Sequence, residues 1–129
     1  MSEVGATGYF VVQALAASNL RLGHEVIGDS VNPVEESRQS WRKTAQSVDS
    51  VYVEIELICS DTNEHRKRAE QRVVGIEGLK QPSWQDICDR HYETWSSVDL
   101  RLDTSTLSVT EAVDQIEALI ERRMERKRL

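Results

Sequence analysis

The apolar positions change period along the chain, and each change marks an element. From Tyr9 to Leu22 the residues Val11, Val12, Leu15, Ala16, Leu20 and Leu22 recur at helical spacing, and Gly23 follows as a C-cap. Met1 to Gly8 has two glycines and no apolar period, and reads as a flexible lead-in. The stretch HEVIGDSVNPVEESR, His24 to Arg38, then reads as strand, carboxylate, turn and helix. Val26 and Ile27 form a short apolar run that closes on Asp29, Asn32 is placed to cap the next helix, and Pro33 suits its first position. Glu35 and Glu36 sit where the positive end of the helix dipole favours anions. This helix is expected over about Val34 to Val48, with Trp41 and Ala45 on one face and Arg38 and Arg42 on another. Its apolar face is thin, as in a helix that covers one side of a sheet.

VYVEIELIC, Val51 to Cys59, is the clearest strand, with Glu54 and Glu56 alternating with Val53, Ile55 and Leu57. Two charges on one side predict a face only partly covered, or a strand towards an edge. Ser60, Asp61 and Glu64 form a helix-start signal, with Asp61 and Glu64 at capping-box spacing, before a helix from about Thr62 to Arg72, which has almost no apolar face and carries Arg66, Lys67, Arg68 and Arg72. Gly75 and Gly78 break it, and Val74 to Pro82 reads as a loop. Ser83 and Asp86 open a further helix carrying Trp84, Ile87, Cys88, Tyr92 and Trp95. Val98 to Leu102 is a short alternating strand ending at Asp103. Ser108 and Glu111 form a capping box for a last helix striped with Val109, Ala112, Val113, Ile116, Leu119 and Ile120. Strands alternating with helices imply right-handed crossovers and a parallel sheet, hence an α/β fold.

At 129 residues the chain fits a single domain, 1–129. A formal net charge of -6 argues against a surface built wholly for nucleic acid. The basic tail ERRMERKRL is read as complementing the helix dipole, because Glu121 and Glu125 interrupt it. No apolar run approaches the roughly 18 residues that span a bilayer, and the N-terminus lacks a secretory pattern. A cytoplasmic protein with no membrane partner and no nucleic acid partner is therefore expected. Cys59 and Cys88 lack metal-ligand spacing and read as buried thiols. His24, His65 and His91 are scattered and fit surface or helix-packing roles. Asp29 is the first candidate for a metal-phosphate site, since an acidic residue ending a strand lies at the rim where open α/β sheets bind ligands.

Taken in order, the segments GHEVIGDSVNPVEESRQSWR, ELICSDTNEHRKRAEQR, LKQPSWQDICDRHYETW and LRLDTSTLSVTEAV resemble the bacterial P-loop kinases related to chloramphenicol phosphotransferase, gluconate kinase and zeta toxins. The resemblance covers nearly the whole chain. It implies a three-layer, kinase-like parallel sheet flanked by helices, with a lid at about residues 61–80. It also implies an ATP-binding phosphotransferase that moves the γ-phosphate to a small-molecule acceptor, with ATP and Mg²⁺ as cofactors. On this resemblance Asp29 helps hold Mg²⁺ through water, and Arg66, Arg68 and Arg72 of the lid close on the phosphates. Asp103, Thr104 and Ser105 lie near the adenine, and Arg38 or Arg42 faces the acceptor.

Such kinases begin with a strand, a G-x-x-x-x-G-K-[ST] loop and a helix, and the loop's backbone N–H groups cradle the phosphates. No such loop occurs in the sequence, and the chain is expected to start where the family is about a quarter complete. Phosphoryl transfer rests on positioning and charge stabilisation, so the chain is expected to be inactive or incomplete in this form. In the kinase sheet the absent first strand, P-loop and first helix would place a strand between the one ending at Asp29 and the one starting at Val51. Its absence predicts direct pairing of those strands, a swapped element, or a partner chain, with a homodimer as the expected assembly. The alternative function is a non-catalytic remnant acting as a dimerising interaction or structural protein.

Overall fold

In the computed structural model the chain divides into two compact units, Met1–Val53 with Ile120–Leu129, and Glu54–Leu119. The structure describes residues 2–73 and 75–128, with side chains from Gly8 onward. The elements are α1 (Ser2–Arg21), α2 (Glu35–Ser47), β1 (Ile55–Ile58), α3 (Thr62–Gln71), α4 (Trp84–Asp89), β2 (Leu100–Asp103) and α5 (Val109–Arg128). The chain is thus mixed helix and strand with a parallel strand pair. Of the expected 74–82 loop, Val74 lies outside the described residues.

In the first unit α1 starts at Ser2, so the expected lead-in is helical from its second residue. A helix nucleated by the apolar run after Tyr9 extends through Gly5 and Gly8 at a cost of only about 1 kcal/mol for each glycine. Gly23 ends it as predicted, with φ +86 and its N–H on the Leu20 carbonyl. Among the described side chains of α1, Gln13, Ala16 and Ala17 are buried, and the two alanines let α2 approach closely. The Ser40 hydroxyl donates to Gln13 Oε1 at 2.7 Å, and the Asn32 N–H donates to the Tyr9 hydroxyl at 3.2 Å.

The strand expected to end at Asp29 does not form. Residues 24–29 pair in no ladder among the described residues, and Ile27 is 92% exposed. A lone extended segment leaves its backbone groups to solvent, and two apolar side chains do not compensate for a missing neighbour strand. The helix cap also differs. Asn32 takes φ +47, a left-handed conformation that Asn tolerates, and α2 begins at Glu35 after an uncapped Val34. Glu35 and Glu36 do occupy its first turn. The loop is fixed from inside instead, because Arg38 is buried and its Nε donates to the Asn32 carbonyl at 2.8 Å. Trp41 lies against Gly28 so closely that a Cβ there would sit 3.0–3.2 Å from the indole ring. The end of α5 joins this unit, where Arg123 Nη1 donates to the Tyr52 carbonyl at 3.5 Å and Lys127 donates to the Asp49 carbonyl.

In the second unit β1 and β2 run parallel, with Ile55 opposite Leu100 and Ile58 opposite Asp103. Both strands are shorter than the apolar patterns predicted. Leu102 is buried from solvent, as are Trp95, Ala69 and Leu119. Among the described residues β1 pairs only with β2, so it is an edge strand, the second of the two expectations; its charged face is nevertheless covered at Glu56, 6% exposed, whereas apolar Leu57 is 63% exposed. The glutamates are covered because donors meet them. Tyr92 donates its hydroxyl to Glu56 Oε2 at 2.6 Å, Arg101 Nε donates to Glu56 Oε1, and Trp95 Nε1 donates to Glu54 Oε1 at 3.2 Å. The same bonds explain why α4 stops at Asp89 rather than running on to Trp95, since residues 91–97 lie across the strands with both aromatic tips on carboxylates.

The local caps follow the sequence. Asp61 accepts the Glu64 N–H at 3.1 Å to start α3, Ser83 and Asp86 form a reciprocal box on α4, and Ser108 and Glu111 form another on α5. His65 meets Trp84 edge to face at 4.9 Å, which seats α4 on α3. Cys59 is half-buried, while Cys88 is exposed rather than buried, because the short α4 buries none of its residues.

Two stability outcomes follow. Glu56→Ala removes the acceptor of both Tyr92 and Arg101 and is expected to destabilise the chain by about 2–4 kcal/mol in urea unfolding followed by circular dichroism, with an unchanged midpoint as the contrary result. Gly28→Val forces the Trp41 ring aside and is expected to cost about 1–3 kcal/mol in the same assay.

Candidate functional site

Because β1 and β2 are parallel, their carboxyl ends lie side by side, and the residues that follow them form one rim. Thr104 carries the pairing one step beyond the ladder, with its N–H 2.7 Å and its hydroxyl 2.9 Å from the Ile58 carbonyl. Asp103 ties the two strand ends together. Its Oδ1 accepts from the Ser105 hydroxyl at 2.6 Å, the Ser105 N–H at 3.0 Å and the Ser60 N–H at 3.2 Å, and its Oδ2 accepts from the Ser60 hydroxyl. The Ser105 and Ser60 hydroxyls, followed by the two N–H groups, hold the Asp103 carboxyl well below the ordinary aspartate range. A carboxylate so stabilised is a poor general base near neutral pH, so Asp103 positions the loop rather than moving protons.

Arg68 brings α3 to the same rim. Its Nη1 lies 3.0 Å from the Thr104 hydroxyl and its Nη2 3.2 Å from the Thr104 carbonyl, while Nε donates to Glu64 Oε1 one turn back at 3.0 Å. Two parallel bonds to one residue use the fork of the guanidinium, which a lysine could not reproduce. Arg66 donates instead to Glu70 along the exposed side of α3 at 2.9 Å, and Arg72 lies exposed just beyond the helix end. Of the three arginines expected in a lid, Arg68 contacts the loop expected near adenine.

The other sequence candidates belong to the first unit. Asp29 is exposed at the end of the unpaired 24–29 segment. Arg38 is buried under the Asn32 carbonyl, and Arg42 is ion-paired to Glu35 at 2.5 Å, a bond that lowers the Glu35 pKa. Asp29, Arg38 and Arg42 are thus in one unit, and Arg66, Arg68, Arg72, Asp103, Thr104 and Ser105 in the other. Among the described residues no group of three His, Cys, Asp or Glu side chains could hold a metal ion. Magnesium at phosphate sites is commonly held by one or two carboxylates plus phosphate oxygens, so Asp29 fits only as a single ligand to an ion that a nucleotide carries.

Ser60 is the rim residue that sequence reasoning passed over as a mere helix-start signal. Its position was a usable clue, since it follows the β1 apolar run much as Asp103 closes that of β2. Among the described residues no helix is long and apolar enough to cross a membrane. No protein-family description, curated protein or solved structure matches the chain.

Stability linked to Asp103 carries a sign. Its pKa is lower folded than unfolded, so its contribution is fully present above the unfolded value near 4 and fades as pH falls below it. Asp103→Asn is therefore expected to flatten the pH dependence of the urea midpoint below about pH 4, and an undiminished slope would contradict the assignment.

Proposed function

We propose that the chain is a P-loop-kinase-like nucleotide-binding module in which the Asp103–Ser105 rim, held in place by Arg68, meets the nucleotide. On this reading β1 and β2 are neighbouring strands of a three-layer kinase sheet and α3 belongs to its lid. The observation that carries it is the joining of Arg68 to Thr104, because it links a basic helix to a hydroxyl-rich loop at the carboxyl ends of parallel strands. Ligands of open α/β sheets sit outside those ends.

The chemistry available at the rim is recognition. Ser60 and Ser105 donate their hydroxyl hydrogens to Asp103 and Thr104 donates its own to the Ile58 carbonyl, so the three oxygens face a base or sugar as acceptors, held in register by Asp103. Arg68 acts as a positioning residue, with its donors spent on Thr104 and Glu64. Arg66 and Arg72, on the exposed side and end of α3, are the cations of this reading that meet phosphate oxygens. Mg²⁺ carried by the nucleotide would supply charge neutralisation at those oxygens. Transfer of the γ-phosphate to a small-molecule acceptor rests on a backbone cradle for the phosphates, which the rim residues do not supply, so nucleotide binding is what the rim contributes.

Isothermal titration with Mg-ATP tests this. The expected result is weak binding, with a Kd of about 0.1–1 mM, that Arg68→Ala weakens by at least about threefold. An absence of heat, or an affinity indifferent to Arg68→Ala, would overturn the assignment and leave the non-catalytic remnant as the better account.

A further inference from the structure

We infer that the Ser60 and Ser105 hydroxyl oxygens form a receptor for the ribose of a nucleotide, each accepting from one of two neighbouring sugar hydroxyls. The inference rests on the nucleotide reading of the rim and adds which part of the ligand the rim meets. Its basis is a count of hydrogens. A serine hydroxyl has one hydrogen to donate and two lone pairs to accept with. Ser60 gives its hydrogen to Asp103 Oδ2, and Ser105 gives its own to Asp103 Oδ1 at 2.6 Å. The two serine oxygens nevertheless stand 3.2 Å apart, with neither hydrogen left to lie between them. Lone pairs therefore face each other near hydrogen-bond distance, an arrangement that donors placed against both oxygens relieve. Ser60 is exposed and Ser105 half-exposed, so a ligand can reach the pair.

The donors around this pair are also committed. The Ser60 and Ser105 N–H groups both go to Asp103 Oδ1, at 3.2 and 3.0 Å, and the Thr104 N–H and hydroxyl both go to the Ile58 carbonyl. The Thr106 and Leu107 N–H groups turn back onto the Asp103 carbonyl at 3.2 and 3.1 Å. Arg68 directs its donors at Thr104 and Glu64. The rim thus offers acceptors beside a carboxylate charge, which favours a ligand edge that donates and carries no negative charge. In a nucleotide this sets aside the phosphates and leaves a base amine or the sugar hydroxyls. Spacing decides between them. The two hydrogens of an amine diverge from one nitrogen, so acceptors that each meet one in line lie roughly 5 Å apart. Two hydroxyls on adjacent ring carbons instead sit side by side, and each can donate straight across to one of two oxygens as close as those of Ser60 and Ser105. Asp103 acts one step removed, by turning both serine hydrogens away from the sugar.

Amide NMR titrations of the full chain with Mg-ATP, Mg-2′-deoxy-ATP and Mg-3′-deoxy-ATP read the contact, with the Ser60 and Ser105 amides as reporters. Loss of either sugar hydroxyl is expected to raise the Kd at least about fivefold, as for one hydrogen bond lost with its acceptor left unmet. Ser60→Ala keeps the backbone bond to Asp103 and is expected to lose the preference against one of the two deoxynucleotides while keeping it against the other. Equal wild-type affinities for all three nucleotides would overturn the ribose assignment and leave the nucleotide reading in place. No amide shift with any of them would overturn both. The wild-type comparison decides the matter even if Ser60→Ala fails to fold.

Discussion

A parallel pair of four-residue strands has too few ladder bonds to stay together alone, and in this chain an aspartate closes the pairing at each end. Before β2, Asp99 accepts the Glu54 N–H at 2.7 Å through its side chain and returns its own N–H to the Glu54 carbonyl at 2.9 Å. At the far end Asp103 takes the Ser60 N–H and hydroxyl. Isolated two-stranded arrangements are marginal in water, and parallel pairs are slightly weaker per residue than antiparallel ones. The carboxylate clips lengthen the pairing beyond its backbone register, and Glu54 and Glu56 lock the 91–97 segment over the strands.

The same clips order the rim that the proposed nucleotide would meet. Asp103 fixes Ser60 and Ser105, Thr104 is fixed by the Ile58 carbonyl, and Arg68 is then presented with a rigid acceptor pair. Order at the rim comes from charge-assisted bonds rather than burial, since Asp103 is only half-covered. Preorganisation of this kind favours binding by reducing what a ligand must order on arrival.

Local signals were the legible ones. Asp61, Ser83 with Asp86, and Ser108 with Glu111 each act within three residues, so their capping could be read without knowing the fold. The parallel pairing was also legible, from apolar runs separated by helical segments. What escaped reading depends on distant partners. Glu56 is buried only because Tyr92 and Arg101 arrive from 36 and 45 residues away, and the two aromatic tips draw residues 91–97 out of helix. The 24–29 segment has the composition of a strand but no neighbour to pair with among the described residues, and strand formation is a property of pairs. At the candidate site, Thr104 and Arg68 were each nameable from sequence, but their contact was not, and Ser60 was visible only as part of a helix-start signal.

Native-state hydrogen exchange of the Glu54 and Ser60 amides tests the central claim most directly, because these two N–H groups donate to aspartate side chains just outside the strand ladder. If the clips hold the pair, both amides exchange at least about 100-fold slower than in an unstructured peptide, with protection comparable to the ladder amides between them. Exchange of either amide at the unstructured rate, while the ladder stays protected, would contradict the account.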